Sequence, residues 1–322
     1  MPRRLLLYLS IFYVLIAWAL NTVLAKQAVV TIDPMAFTFL RFLVMTPLAY
    51  ALVYATRGRI RVRRRDIGQL LVCGACGFGL YQYCWILGLR YTTPFASSLL
   101  GATSPIFTLG IVAILGDETV RRSRWVGAFI AVVGVATFEG AFSQALGWKI
   151  GDILTIGAAL VFAGYNVVSA RLLERYSSLE LLAIAMSLGT IMLVPGGVPA
   201  LIHTDFSRIG WDVWWRLGYA TIFPVLLTYP VWTNAISVLG AARVSIFSFL
   251  VPVLTGVLSV FILHTAFPPY QLAGAAICLC GMLIAAAKGS SRSLPKGAND
   301  EISRLVPVAA APVHSGPDTA DL

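Results

Sequence analysis

Ten apolar runs follow one another along the chain, at about 5–25, 35–55, 67–88, 94–115, 124–140, 152–171, 180–201, 214–238, 242–263 and 267–287. Each is close to the ~20 residues that a helix needs to cross bilayer hydrocarbon. Lipid offers the backbone no partners, so runs of this length predict helices. Barrel strands would alternate polar and apolar at every second residue, and no such alternation is present. The pattern predicts an all-α membrane protein with ten transmembrane helices. From Lys288 onward Ser, Pro, Gly and charged residues enter and no apolar period survives, so 288–322 reads as a disordered cytoplasmic tail. The opening, Met1-Pro2-Arg3-Arg4 and then Leu5 to Leu20, imitates a signal peptide. Its apolar stretch runs on to Ala25 without a small-x-small cleavage site, so it reads as an uncleaved first helix.

Composition agrees and narrows the class. Hydrophobic residues make up 58% of the 322 and charged residues 12%, against about 25% charged in a soluble domain. Mean hydropathy is +0.83. A soluble catalytic domain, a disordered chain and a disulfide scaffold are excluded. The net charge is +10, from 24 Lys+Arg against 14 Asp+Glu. With the amino terminus in the cytoplasm, 18 of the 24 cations fall on the cytoplasmic side, among them Arg57, Arg59, Arg61, Arg63, Arg64 and Arg65. Lys26, Arg90, Lys149, Arg208 and Arg216 fall on the other side, and Arg41 lies within a span. This asymmetry predicts an even number of spans with both termini inside. It also explains the positive charge without a nucleic-acid partner. Cys73, Cys76, Cys84, Cys278 and Cys280 all lie in apolar runs and read as packing residues. The lone CxxC lacks the four ligands of a zinc site.

The chain matches itself at a shift of 147 residues. Trp85 falls on Trp232, Ser98 on Ser245, Pro105 on Pro252, Thr108 on Thr255, Gly127 on Gly274 and Gly134 on Gly281. At a shift of 145, Leu15, Asn21, Ala25 and Lys26 fall on Leu160, Asn166, Ala170 and Arg171. The first five helices therefore correspond to the last five. Five is odd, so the halves must be inverted, the architecture of many secondary transporters.

These residues bear a family likeness. Pro94-Phe95-Ala96-Ser97-Ser98-Leu99-Leu100, Pro105-Ile106, Gly116-Asp117-Glu118, Gly127, Gly134 and the later Gly151-Asp152-Ile153-Leu154 stand in a specific order and spacing. Over about residues 8–287 the chain resembles the drug/metabolite transporter superfamily, in particular proteins with two EamA domains. The resemblance implies two five-helix repeats, at 5–140 and 150–287, around a central cavity. It also implies export or exchange of a small metabolite by a multi-pass protein of the plasma (inner) membrane, with no cofactor. One departure is that Leu263-His264-Thr265 stands where the first half has Gly116-Asp117-Glu118.

Several residues in the spans are candidates for the solute site. Arg41 is costly inside a bilayer and should face the bundle, a cavity or a carboxylate. It reads as an anchor for an anionic group, or as an ion pair with Asp33 or Glu139; its repeat counterpart is Met186. Asn21 and Asn166 either bond helix to helix or line the cavity. Tyr81, Gln82, Tyr229 and Asn234 lie deep, whereas Trp85 and Trp232 fall nearer the span ends and also suit an interfacial belt. Pro105 and Pro252 predict kinks one turn back, at Gly101 and Ser248, and are candidate hinges. Ser98, Thr103 and Ser104, with Ser245 and Ser248 opposite, are placed to reach solute through the loosened backbone. The small residues at Gly127, Ala131, Gly134 and at Gly274, Cys278, Gly281 predict close helix packing, within the chain or in a homodimer. Asp117 and Glu118 read as a solvated loop pair capping the fifth helix.

Three functional classes fit a chain of this kind. A secondary transporter is favoured by the inverted repeat and by the lack of any nucleotide-binding motif. An intramembrane enzyme acting on a lipid-linked substrate is the alternative. It would need clustered His, Asp or Glu, and His203, His264 and His314 form no cluster. A channel would need a continuous polar lining, which few runs supply.

Overall fold

The computed structural model describes residues 3–57, 60, 62–116, 121–138, 150–263 and 269–286. Among these residues the regular structure is all helical, and the segments join into rods that we number in chain order. α1 is Arg3–Ala28, α2 Pro34–Arg57, α3 67–91, α4 94–115 and α5 Arg122–Phe138. α6 is Ile150–Leu172, α7 Ser178–His203, α8 211–239, α9 241–263 and α10 Pro269–Ala286. Eight of these, all but α5 and α10, are long and apolar enough to cross a membrane. Asp117, Glu118, Glu139, His264, His314 and the tail from 288, for which the sequence carries expectations, lie outside the described residues.

Short capped turns make sequence neighbours antiparallel. Asp33 Oδ1 accepts from the N–H groups of Met35 and Ala36 at 2.8 and 3.1 Å, so α2 starts at Pro34. Thr93 caps α4 through Ala96 N–H at 3.1 Å, with Pro94 in the first turn. Ser177 and Glu180 form a capping box at the start of α7. The turns after α1, after α3 and before α6 share one end of the bundle, which we call the Pro94 face. The opposite end carries Asp66.

Four rods are interrupted, and the interruptions recur at the repeat spacing. α3 widens into a π segment at Ala75–Gly79 and α8 at Ile222–Leu227. Adding 147 carries residue 75 onto 222. α4 breaks at Ala102 and Thr103, between Pro94–Gly101 and Ser104–Leu115. α9 tightens to a 3₁₀ turn at Phe247–Phe249. The breaks in α4 and α9 lie within about one turn before Pro105 and Pro252, where the ring would clash with a regular helix. Pro105 and Pro252 therefore sit in the first turn of the following segment, where a missing N–H costs little.

α5 and α10 pack against each other along their length. A Cβ on Gly127 would lie 2.5 Å from Ala285 N and 2.6 Å from Gly281 O, and one on Gly134 would overlap the backbone of Cys278. The two small-residue faces thus meet each other within one chain. α2 packs on α7, α3 on α6, and α1 on α8 and α9.

Polar clasps hold both ends. On the Asp66 face, Arg175 donates to Asp66 Oδ1 at 2.6 Å and to Gln69 Oε1 at 2.8 Å. Tyr176 O–H donates to Asp66 Oδ2 at 3.1 Å and accepts from Arg63 N–H at 3.0 Å. On the Pro94 face, Lys26 donates to the carbonyls of Leu89, Arg90 and Thr92 at 2.8, 3.1 and 2.7 Å. Thr92 in turn donates to Asp152 at 2.8 Å.

Candidate functional site

A cavity opens between α1, α2, α3, α4, α6, α8 and α9. Six of the seven lining rods contribute a stripe at helical spacing, and α2 contributes Arg41 alone. α1 gives Trp18, Asn21 and Thr22, α3 gives Tyr81, Gln82 and Trp85, and α6 gives Thr155, Ala158, Ala159 and Phe162. α4 adds Ser97, Ser98, Gly101, Ala102 and Ser104 around its break, α8 adds Pro224, Val225 and Tyr229, and α9 adds Ser248 and Val251. The space between them, its mouth included, is about 870 Å³, the size of a small-molecule site. The stripes on α1, α3, α4 and α6 all occupy the halves nearer the Pro94 face, so the cavity is displaced from the bundle centre towards that face. The backbone is irregular at three of its walls: the break in α4, the π segment in α8 and the 3₁₀ turn in α9. Non-helical backbone at membrane depth is tolerated where protein or a cavity receives it.

Arg41 supplies the charge. Its side chain is 1% exposed, and Nε and Nη2 donate to the carbonyl of Ala220 at 3.0 and 2.7 Å. Ala220 lies four residues before Pro224, which has no N–H to give that carbonyl in the α pattern. A proline in α8 thus creates the acceptor that fixes an arginine in α2. Nη1 has no partner, and the guanidinium lies 5.4 Å from the Phe37 ring centroid. Among the described residues no carboxylate pairs with Arg41: Asp33 is spent on the cap of α2.

Around the charge stand aromatic walls and neutral polar groups. Trp18 lies 5.8 Å from Phe162 and 5.9 Å from Tyr229, and Tyr81 lies 5.2 Å from Phe162. Trp18 Nε1 is held by Pro224 O and Thr228 Oγ1 at 2.9 and 3.0 Å. Asn21 Oδ1, Gln82 Oε1 and the hydroxyls of Ser97, Ser98 and Ser104 are buried without a partner. Groups of this kind are rare in finished cores and usual where a ligand or water is to be received. Among the described residues no Asp, Glu, His or Cys lines the cavity.

Eight of the twelve expected solute residues line this cavity: Asn21, Arg41, Tyr81, Gln82, Ser98, Ser104, Tyr229 and Ser248. Four are placed elsewhere. Asn234 is buried in α8, away from the lining. Thr103 donates back to Leu100 O at 2.6 Å. Ser245 is buried, facing Ala242 O at 3.4 Å. Asn166 accepts from Trp232 Nε1 at 3.0 Å and is buried between helices. The structure splits both repeat pairs, since Asn21 and Trp85 line the cavity while Asn166 and Trp232 bond to each other. Neither tryptophan sits in an interfacial belt, because Trp232 is fully buried and Trp85 faces the cavity. Trp18, Phe162, Thr155 and Ser97 were not expected. Trp18 stands three residues before Asn21, on the same helix face, and that spacing was the available signal.

The sequence profile of the EamA-like transporter family matches residues 5–138 and 149–287. The chain belongs to this family. EamA-like relatives cover most of its length. An uncharacterized transporter of Archaeoglobus fulgidus is 26% identical over 287 residues, which is 87% of this chain and 97% of the relative. The uncharacterized inner membrane transporter YhbE of Escherichia coli is 28% identical over 253 residues, 74% of this chain and 76% of the relative. A protein of Streptantibioticus cattleyicolor named a probable terminal-alkyne amino-acid exporter is 27% identical over 242 residues, 75% of this chain and 80% of the relative. A crystal structure superposes with a TM-score of 0.69 at 17% identity, covering 86% of this chain and 95% of that one; it shares the fold. Membership makes this EamA-like chain an integral membrane protein and a secondary transporter. The intramembrane-enzyme reading finds no support among the relatives, which are named transporters or exporters.

Proposed function

We propose that the protein exports or exchanges a small anionic or zwitterionic metabolite by alternating access, with the cavity beside Arg41 as the solute site. The observation that carries this reading is the unpartnered Nη1 of Arg41 in a cavity whose lining, among the described residues, holds no carboxylate. A carboxylate on the solute supplies the missing partner, the aromatic walls take an apolar body, and Asn21 and Gln82 accept from its N–H or O–H groups. A cationic solute would meet an uncompensated positive charge. The amino-acid exporter among the relatives points the same way.

In this reading 5–140 and 150–287 are inverted five-helix repeats, all ten rods cross, and both termini are cytoplasmic. The matched π segments and helix breaks at the 147-residue spacing support the repeat. The 17 residues of α5 are within the roughly 17–25 that suffice for a span. Pro105 and Pro252 keep α4 and α9 hinged beside the cavity. The protein then sits in the plasma (inner) membrane with its Pro94 face outward, and the cavity opens outward. The small-residue faces of α5 and α10 are consumed within the chain, so a homodimer would need another surface.

The test is counterflow in proteoliposomes across amino acids, organic acids, nucleobases and cationic drugs. Saturable exchange of a carboxylate solute is expected. Transport confined to cationic drugs would overturn the solute assignment.

A further inference from the structure

The two asparagine–tryptophan pairs of the repeat are equivalent in sequence and different in state. Asn21 matches Asn166 at a shift of 145, and Trp85 matches Trp232 at 147. In one half Trp232 Nε1 donates to Asn166 Oδ1 at 3.0 Å, with both side chains buried. α6 and α8 meet at this bond, and Trp232 is packed by Trp18 at 4.7 Å and Phe162 at 6.5 Å. In the other half Asn21 Oδ1 is buried with no partner, Trp85 Nε1 makes no hydrogen bond to a described residue, and both side chains face the same cavity between α1 and α3.

We propose that Asn21–Trp85 and Asn166–Trp232 are the two gates of the transport cycle, each closed by the same indole-to-amide bond and open in turn. This rests on the alternating-access reading above. An indole N–H has one donor and the amide oxygen is a strong acceptor. Inside a bilayer neither finds water once the cavity shuts, so the bond forms as its two helices meet. In the state seen here the Asn166–Trp232 gate is shut and the Asn21–Trp85 gate is open. Movement of α3 towards α1 brings Trp85 Nε1 to Asn21 Oδ1 and seals the Pro94 face, while loss of the Trp232 bond opens the Asp66 face. Closure at both pairs gives the occluded intermediate. Until then Asn21 Oδ1 is free to accept from the solute, which couples occupancy to closure: leaving the solute is compensated by the indole. The charge of Arg41 has no counterpart at Met186, so one anchor serves both states while the gates exchange.

The experiment reads which gate is open. A single reporter cysteine replaces Ser97 in the cavity wall, in a chain whose five native cysteines are replaced, and is titrated from outside with a membrane-impermeant maleimide. Trp85→Phe keeps the ring and removes the donor that would seal this gate, so outside labelling should rise at least threefold. Trp232→Phe removes the donor of the shut gate, so outside labelling should fall at least threefold. Trp85 faces the cavity and its variant keeps the fold even if Trp232→Phe does not. Unchanged labelling in Trp85→Phe overturns the gate proposal, as does a shift of both variants in the same direction. A parent protein that performs counterflow while its gates fail this test leaves the transport reading standing. A parent that neither transports nor changes labelling with solute overturns both.

Discussion

Arg41 in α2 and Ala220 in α8 are joined by a forked hydrogen bond, with Nε and Nη2 at 3.0 and 2.7 Å from one carbonyl oxygen. The fork holds the guanidinium plane and leaves Nη1 without a partner, which is the donor the proposed solute carboxylate would take. A lysine has no planar fork to serve both partners. Arg41→Lys should lower the apparent affinity for a carboxylate solute about tenfold, or about 1.4 kcal/mol, with little change in thermal stability. Arg41→Met, which copies the repeat position Met186, should reduce transport below detection while the protein remains monodisperse in detergent. If Arg41→Met is folded and transports normally, the anchor assignment is wrong. If it fails to fold, Arg41 is a staple between α2 and α8.

Gly134 should tolerate no side chain, because a Cβ there overlaps the Cys278 backbone across the α5–α10 contact. Close approach of this kind is what small residues permit between helices in lipid. Gly134→Val should separate the pair at a cost of about 1–3 kcal/mol, seen as a lower melting temperature in detergent. Gly110 meets nothing within 4 Å, so Gly110→Ala is the control and should leave stability unchanged.

The rods were legible in the sequence because lipid removes every alternative to helix, so an apolar run of sufficient length reads as one element. The interruptions of α4 and α9 were legible through Pro105 and Pro252, because a proline ring has a backbone effect that the sequence alone announces. The π segments were not legible. Ala75–Gly79 reads simply as small and apolar, and the widening reflects its fit against Tyr165 on α6 and Gly189 on α7. Nor could the sequence say which member of an equivalent pair is bonded. Asn21 and Asn166 have the same chemistry, and only the conformational state makes one a cavity wall and the other a helix-to-helix acceptor. Arg41 was visible as a charge in a span, but its partner was not, since a backbone carbonyl freed by Pro224 leaves no trace in side-chain pattern.

The orientation can be checked by labelling. Ile60 stands between α2 and α3, among the arginines whose side sets the topology. A cysteine at 60 should resist an impermeant reagent in intact cells and react in inverted vesicles. Reaction in intact cells would turn the protein over and place the cavity mouth in the cytoplasm.

Pro105 sits in the first turn after the break in α4, beside cavity residues Ala102 and Ser104. Alanine at this position restores an N–H to the carbonyl of Gly101 and favours a continuous α4. Pro105→Ala should therefore keep or raise thermal stability and lower turnover severalfold, with solute affinity changed less than twofold. An undiminished turnover would remove the hinge role from this proline.

Asp66 is the last testable point, because it holds the end of the bundle opposite the cavity mouth. Its carboxylate is 1% exposed and receives Arg175 at 2.6 Å and Tyr176 at 3.1 Å. These bonds tie the start of α3 to the turn between α6 and α7, so they belong to the state in which the Asp66 face is shut. Opening that face must break or carry them. Asp66→Asn keeps the size and one acceptor but removes the charge, weakening the charge-assisted bond by about 1–2 kcal/mol. If the clasp is specific to this state, that energy appears as a population shift of about fivefold to thirtyfold towards the opposite conformation. Outside labelling of a cysteine at Ser97 should then fall, and Trp85→Phe added to Asp66→Asn should raise it again, since the two changes bias the same equilibrium in opposite directions. If Asp66→Asn instead lowers the melting temperature without moving the labelling rate, the clasp holds equally in both states and Asp66 is structural.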